Sequence, residues 1–121
     1  MPLISDFPPS EYEQRYQRAW TLMRTYGLDG LLVMTESNYR YLTGHRSQFW
    51  VSNARPFYAI MVPDRPPVAL VTFTEGEVFR GSSWLEDVRT WLGFADDSLP
   101  FLTDIFRELH LKRARVGVDF G

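Results

Sequence analysis

The sequence predicts an α/β fold of three layers, with a mixed sheet of about five strands between helices. Two observations carry this expectation. Apolar runs of strand length recur at 31–34, 57–62, 68–73 and 115–118, with a shorter alternating run at 87–91, and helical periodicities fall between them. The second and third runs are separated only by Pro63-Asp-Arg-Pro-Pro67, a connection too short for anything but an antiparallel pair.

The elements follow in order. Ser10 and Glu13 have the spacing of a capping box, so a helix is expected over 11–26. Tyr12, Tyr16, Ala19, Trp20, Met23 and Tyr26 form its apolar stripe, and Gly27 suits the position just past its end. Leu28-Asp-Gly30 turns the chain into the run 31–34, whose continuous apolarity predicts a strand covered on both faces. Ser37 can cap a short helix reaching about Leu42, stopped by Gly44. A polar and aromatic loop over 45–56 leads to the antiparallel pair. A short helix over 75–82, with Thr74 as its cap, precedes the strand 87–91. The next helix starts at Asp97 or Ser98, with Pro100 in its first turn, and presents Leu102, Ile105, Phe106 and Leu109 on one face. The order is α-β-α-β-β-α-β-α-β, which implies helices on both faces of the sheet. Val33, Leu70 and Val116 are expected to be buried.

Composition narrows the function. The 121 residues fit one domain, and 45% hydrophobic with 16% aromatic residues can fill one core. A net charge of −2 argues against nucleic-acid binding, which would show as a basic excess. The one dense basic run, Lys112-Arg-Ala-Arg115, reads as charge complementing a helix end. There is no cysteine, so disulfides, thiolate metal sites and a Cys nucleophile are excluded. The start of the chain lacks the pattern of a signal peptide, and no apolar run reaches the roughly 18 residues of a membrane span. A soluble cytoplasmic protein is the expectation.

No reactive constellation emerges. The histidines, His45 and His110, are too few for a metal site. His110 closes a helix, whereas His45, beside Arg46, is a candidate for substrate contact. The acidic pairs Glu11/Glu13, Glu75/Glu77 and Asp96/Asp97 each open a helix, where the dipole favours them. The scattered glycines form no phosphate loop, and no GxSxG motif occurs. The 45–57 segment stands apart. It combines Arg46, Phe49, Trp50, Arg55 and Phe57, and exposed aromatics with arginine commonly anchor interfaces. Phe57 is expected in the core, and Trp50 and Arg55 at an interface.

Several motifs occur in a recognisable order: Gly27-Leu-Asp-Gly-Leu-Leu-Val33, Asn38-Tyr-Arg-Tyr-Leu-Thr-Gly44, an Arg before a strand ending in Val62-Pro63, Val68-Ala-Leu-Val71 and Arg115-Val-Gly-Val118-Asp119. From Tyr12 to Gly121 the chain resembles the N-terminal domain of the creatinase/prolidase/aminopeptidase P family. Asp119 stands where that family commonly has Glu. The resemblance implies a ribonuclease H-like creatinase N-terminal fold over 1–121. It also implies a "pita-bread" catalytic domain further along the polypeptide, and the end of the chain just after a strand reads as a cut in a longer protein. In the peptidases that second domain holds a divalent metal pair (Mn, Co or Zn) on Asp, Asp, His, Glu and Glu. No catalytic or metal-binding residue is therefore expected within 1–121, and this segment needs no cofactor of its own. The resemblance implies a homodimer in which loop residues line the mouth of the neighbouring subunit's active site. Arg46, Trp50, Arg55 and His45 are the residues placed for that part. The substrate would be an Xaa-Pro peptide or a small C–N compound. A stand-alone α/β binding module is the rival reading; an independent small enzyme would need a reactive cluster that the sequence lacks.

Overall fold

The computed structural model describes residues 7–45 and 56–119. Its elements are α1 (Pro9–Thr25), β1 (Gly30–Val33), α2 (Glu36–Thr43), β2 (Tyr58–Met61), β3 (Val68–Thr72), α3 (Glu75–Ser82), β4 (Val88–Trp91), α4 (Ala95–Glu108) and β5 (Val116–Val118). The order is the one the sequence predicts. The strands form one sheet, β4-β3-β2-β1-β5, in which β2 is antiparallel to β1 and β3, while β5 lies parallel to β1 and β4 to β3. Four strands thus point one way and β2 points back. The C-terminal ends of β1, β3, β4 and β5 share one end of the sheet with the start of β2.

Alternation along the strands builds two cores. Val33, Ala59, Met61, Ala69 and Val71 face α1, α2 and α3, meeting Tyr12, Tyr16, Met23, Tyr39, Leu42 and Phe79. Ile60, Val68, Leu70 and Trp91 face the other way and meet Ile105, Leu102 and Phe106 of α4. The expected three layers are therefore present, with three helices on one face and one on the other. Val33 and Leu70 are buried as expected, but Val116 is only half-buried. β5 is an edge strand, so one flank of Val116 lacks a neighbour.

Helix boundaries depart from the sequence expectations in instructive ways. α1 begins at Pro9, with Pro8 extended as its N-cap, and no side chain caps it. Proline suits the first helical position because it has no amide to satisfy. Ser10 therefore lies inside the first turn and the Ser10–Glu13 capping box does not form. At the other end, Leu28 N–H donates to the Met23 carbonyl and Gly27 N–H to that of Arg24, with Gly27 left-handed at φ +67°. That is the Schellman termination. His110, at φ +60°, takes the same role after α4, where Leu111 N–H reaches the Phe106 carbonyl. α4 starts earlier than expected, at Ala95, because the Asp97 carboxylate reaches back to the Phe94 amide at 2.8 Å. Pro100 consequently falls beyond the first turn. Ser98 does not cap; its buried hydroxyl bonds the Ala95 carbonyl and pairs with the Tyr58 hydroxyl. Thr74 precedes α3 without a side-chain cap bond.

α2 is anchored from a distance. Its N-cap is Thr35, not Ser37, with no side-chain cap bond of its own, and the β1–α2 junction is bound by the carboxylate of Asp119. Asp119 accepts from the backbone amides of Met34 (2.7 Å) and Thr35 (3.2 Å), the Thr35 hydroxyl and the Asn38 side-chain Nδ2 (3.1 Å). One acid just past β5 thus closes the end of β1 and the start of α2. Partial burial would raise its pKa, but the bonds from Thr35, Met34 and Asn38 outweigh this and lower it.

Two outcomes follow. Val33→Asp should abolish the cooperative melt of the domain, because an unpaired buried charge costs several kcal/mol against a total of about 5–15. A melting curve matching the wild type would refute the burial assigned to β1. Asp119→Ala should cost about 1.5–3 kcal/mol in urea unfolding near neutral pH, the scale of lost hydrogen bonds to a charged group. Because the folded-state pKa lies below the unfolded one, this stabilisation is complete above about pH 3.9 and fades as pH falls further.

Candidate functional site

The end of α2 and the start of α3 build a buried polar cluster around His45. Gly44 ends α2 in the left-handed region at φ +74°, where a Cβ would lie 2.5 Å from the Tyr12 hydroxyl. Glycine is required there on both counts, and it turns His45 inward. The His45 ring is fully enclosed, packed against Tyr39, Phe57 and Phe79 with centroids 5.0–5.6 Å away. Its Nδ1 lies 2.6 Å from the Tyr39 hydroxyl and its Nε2 3.2 Å from Glu75 Oε2. Below them the Ser83 hydroxyl donates to the Thr43 carbonyl, joining the end of α2 to the end of α3.

Burial sets the protonation states. It lowers the His45 pKa despite the opposing pull of Glu75, and it raises that of Tyr39 well above its ordinary value. Tyr39 therefore keeps its proton and donates to Nδ1. His45 is neutral, and its Nε2–H donates to the Glu75 carboxylate. A Tyr–His–Glu chain resembles the wiring of a proton relay, but both ends here are sealed in the core, with the Glu75 side chain only 6% exposed. The geometry rigidifies the core and offers no reacting atom to solvent.

The candidate residues fare as follows. Arg46, Trp50 and Arg55 lie outside the described residues, as does Phe49. His45, expected at the head of a surface loop, is instead inside the core, and Phe57 is buried as expected. Glu75 opens α3 as expected, but it is buried and bonded to His45, which its reading as a helix-start charge did not include. A signal for this was present: Glu75, Phe79 and Ser82 recur at helical spacing, and all three are buried. Among the described residues, no three His, Asp or Glu side chains converge where a metal could sit. The donor set does not fit the divalent metal pair that the resemblance implies for the peptidases. No described helix is long and apolar enough to cross a membrane.

The cluster makes stability depend on pH. The folded His45 pKa lies below that of the unfolded chain, so its contribution is complete above about pH 6.5 and is lost as pH falls towards the folded value. Chemical denaturation should show a decline of up to about 1.4 kcal/mol per pH unit just below that point. His45→Gln should be less stable at neutral pH and lose that slope. An unchanged slope would remove His45 as its source.

Comparisons with known proteins place this architecture. The model of the Creatinase/Prolidase N-terminal domain matches residues 15–121. Among solved structures, the N-terminal domain of an Xaa-Pro dipeptidase from Lactobacillus brevis superposes with a TM-score of 0.71 at 17% identity, covering 86% of this chain and 75% of that one. An Xaa-Pro dipeptidase from Bacillus anthracis gives 0.70 at 14% identity, over 89% of this chain but 27% of its own. Dipeptidase PepE from Mycobacterium ulcerans gives 0.70 at 22%, over 93% and 29%. At these identities the likeness is one of fold, and the chain spans little more than a quarter of the two longer enzymes. No curated protein matches. With the family model covering nearly the whole chain, the chain belongs to the Creatinase/Prolidase N-terminal domain family.

Proposed function

We propose that this domain is the non-catalytic N-terminal part of a cytoplasmic Xaa-Pro peptidase-like or creatinase-like hydrolase. It serves dimerisation and shapes the entrance to the neighbouring subunit's active site. The observation that carries the reading is the family match over 15–121, joined to the fraction of the Bacillus anthracis dipeptidase that the chain spans. The direction of the sheet supports it. The C-terminal ends of β1, β3, β4 and β5, the start of β2 and both flanks of the 46–55 segment gather at one end. In open α/β sheets that end is where ligands and partner surfaces are usually met.

In this reading Arg46 and Arg55 supply forked donors for a substrate carboxylate, and Trp50 excludes water. His45 acts at one remove, holding the stem of the segment through its packing on Phe57. Metal and catalytic groups belong to a separate catalytic domain. In the dimeric full-length protein, Arg55→Ala and Trp50→Ala should raise KM or lower kcat by about ten-fold or more, the scale of a lost charged contact. The melting temperature of the isolated domain should stay within about a degree or two, as for surface substitutions generally. Wild-type kinetics in both variants would remove the segment from the active-site mouth.

A further inference from the structure

Away from the His45 cluster, the structure has a cleft of about 350 Å³ between the first half of α1, the turn before β3 and the segment leading into β4. This volume lies in the range of small-ligand pockets. Its walls are aromatic and apolar: Tyr12, Tyr16, Trp84 and Leu85, with Pro66 and Pro67 opposite. The Trp84 indole is fixed by a bond from its Nε1 to the Phe7 carbonyl at 3.3 Å, yet the residue stays 47% exposed.

Two features go beyond an incidental groove. Tyr16 is 5% exposed, and its hydroxyl has no hydrogen-bond partner among the described residues. It is not sealed, since the one enclosed unpartnered side-chain atom described is Trp20 Nε1. Polar groups so deeply set normally find partners. Burial, helped by Tyr12 and Glu13, raises the Tyr16 pKa against Arg15, so its hydroxyl remains a donor. The second feature is charge. Among the described residues Arg65 is the single cation of the lining, and it is already bonded to Asp87, which also holds Arg89. Glu13 and Glu86 are left on the lining, both exposed and without an ionic partner among the described residues.

We propose that this cleft binds an organic cation carried on a compact apolar body, the body against Trp84 and Leu85 and the ammonium or guanidinium towards Glu13 and Glu86. Aromatic faces attract cations, and unpaired carboxylates add charge complementarity. The cation can belong to a free amine or to a basic side chain in a peptide; the recognising chemistry is the same. The inference is independent of the proposed role in a peptidase.

The test is an NMR titration of the ¹⁵N-labelled chain, following the Trp84 indole N–H, assigned with Trp84→Phe. Phenethylammonium and the capped dipeptide acetyl-Phe-Arg-amide are the cationic probes; 2-phenylethanol and 3-phenylpropionate are the neutral and anionic controls. Saturable shifts with a cationic probe and at least roughly ten-fold weaker binding of both controls are expected. Whether the amine, the dipeptide or both saturate identifies the source of the cation, and each result supports the site. The double variant Glu13→Gln/Glu86→Gln, changed only at exposed positions, should keep the wild-type melt and bind the cation roughly five-fold more weakly. Absence of saturation with both cations at millimolar concentration, equal binding of the neutral control or an unchanged affinity in the double variant would overturn the proposal.

Discussion

The central strand β2 and its neighbour β3 have no face to give to water, and the rest of the domain answers that constraint. Every residue of β2 and β3 is buried. A sheet interior of this kind must be covered twice, and each cover must be apolar along one stripe. α1, with Tyr12, Tyr16 and Met23 on its inner side, and α4, with Ile105, are the main covers. The edge strands β4 and β5 are less buried and carry charge at their margins, as with Arg89, bonded to Asp87 and Glu108. Exposed edges are kept from pairing with other chains in this way.

Most polar groups of the interior close on one another, Trp20 Nε1 being an enclosed exception. The Tyr39–His45–Glu75 chain satisfies three buried groups within the layer of α2 and α3. Ser98 and Tyr58 do the same on the opposite face. Such networks contribute little net energy when complete and cost much when broken, so they fix which packing is adopted. Arg15 follows the same rule at the surface of the first core. Its guanidinium lies 4.4 to 4.9 Å from the ring centres of Phe7, Tyr12 and Tyr41 and donates to the Tyr41 carbonyl.

Much of this was legible in the chain. Element order, the antiparallel pair and the burial of Val33, Leu70 and Phe57 follow from apolar periodicity, a local signal. What escaped was set by geometry that no short window contains. Ser10 has the spacing of a cap, but Pro8 and Pro9 start the helix before it. Val116 reads like a central-strand residue because sequence does not say which strand is outermost. His45 looks like a loop residue until Gly44 turns it inward towards Glu75. The recognition of Met34, Thr35 and Asn38 by Asp119 spans more than eighty positions, as the 85-residue separation of Met34 and Asp119 shows. The cleft beside Trp84 combines three distant segments, each with an ordinary local reading.

The long reach of Asp119 bears on how the domain is made. A ribosome delivers β1 and α2 early, but the amides at their junction are satisfied by the last described residue, and the outer flank of β1 by β5. Contacts of such high sequence separation form late, since the loop they close is long. β1 can pair with β2 well before then, so only its other margin and the amides at its end wait for the close of the domain. A strand margin left unpaired in a growing chain is a place where other chains can add.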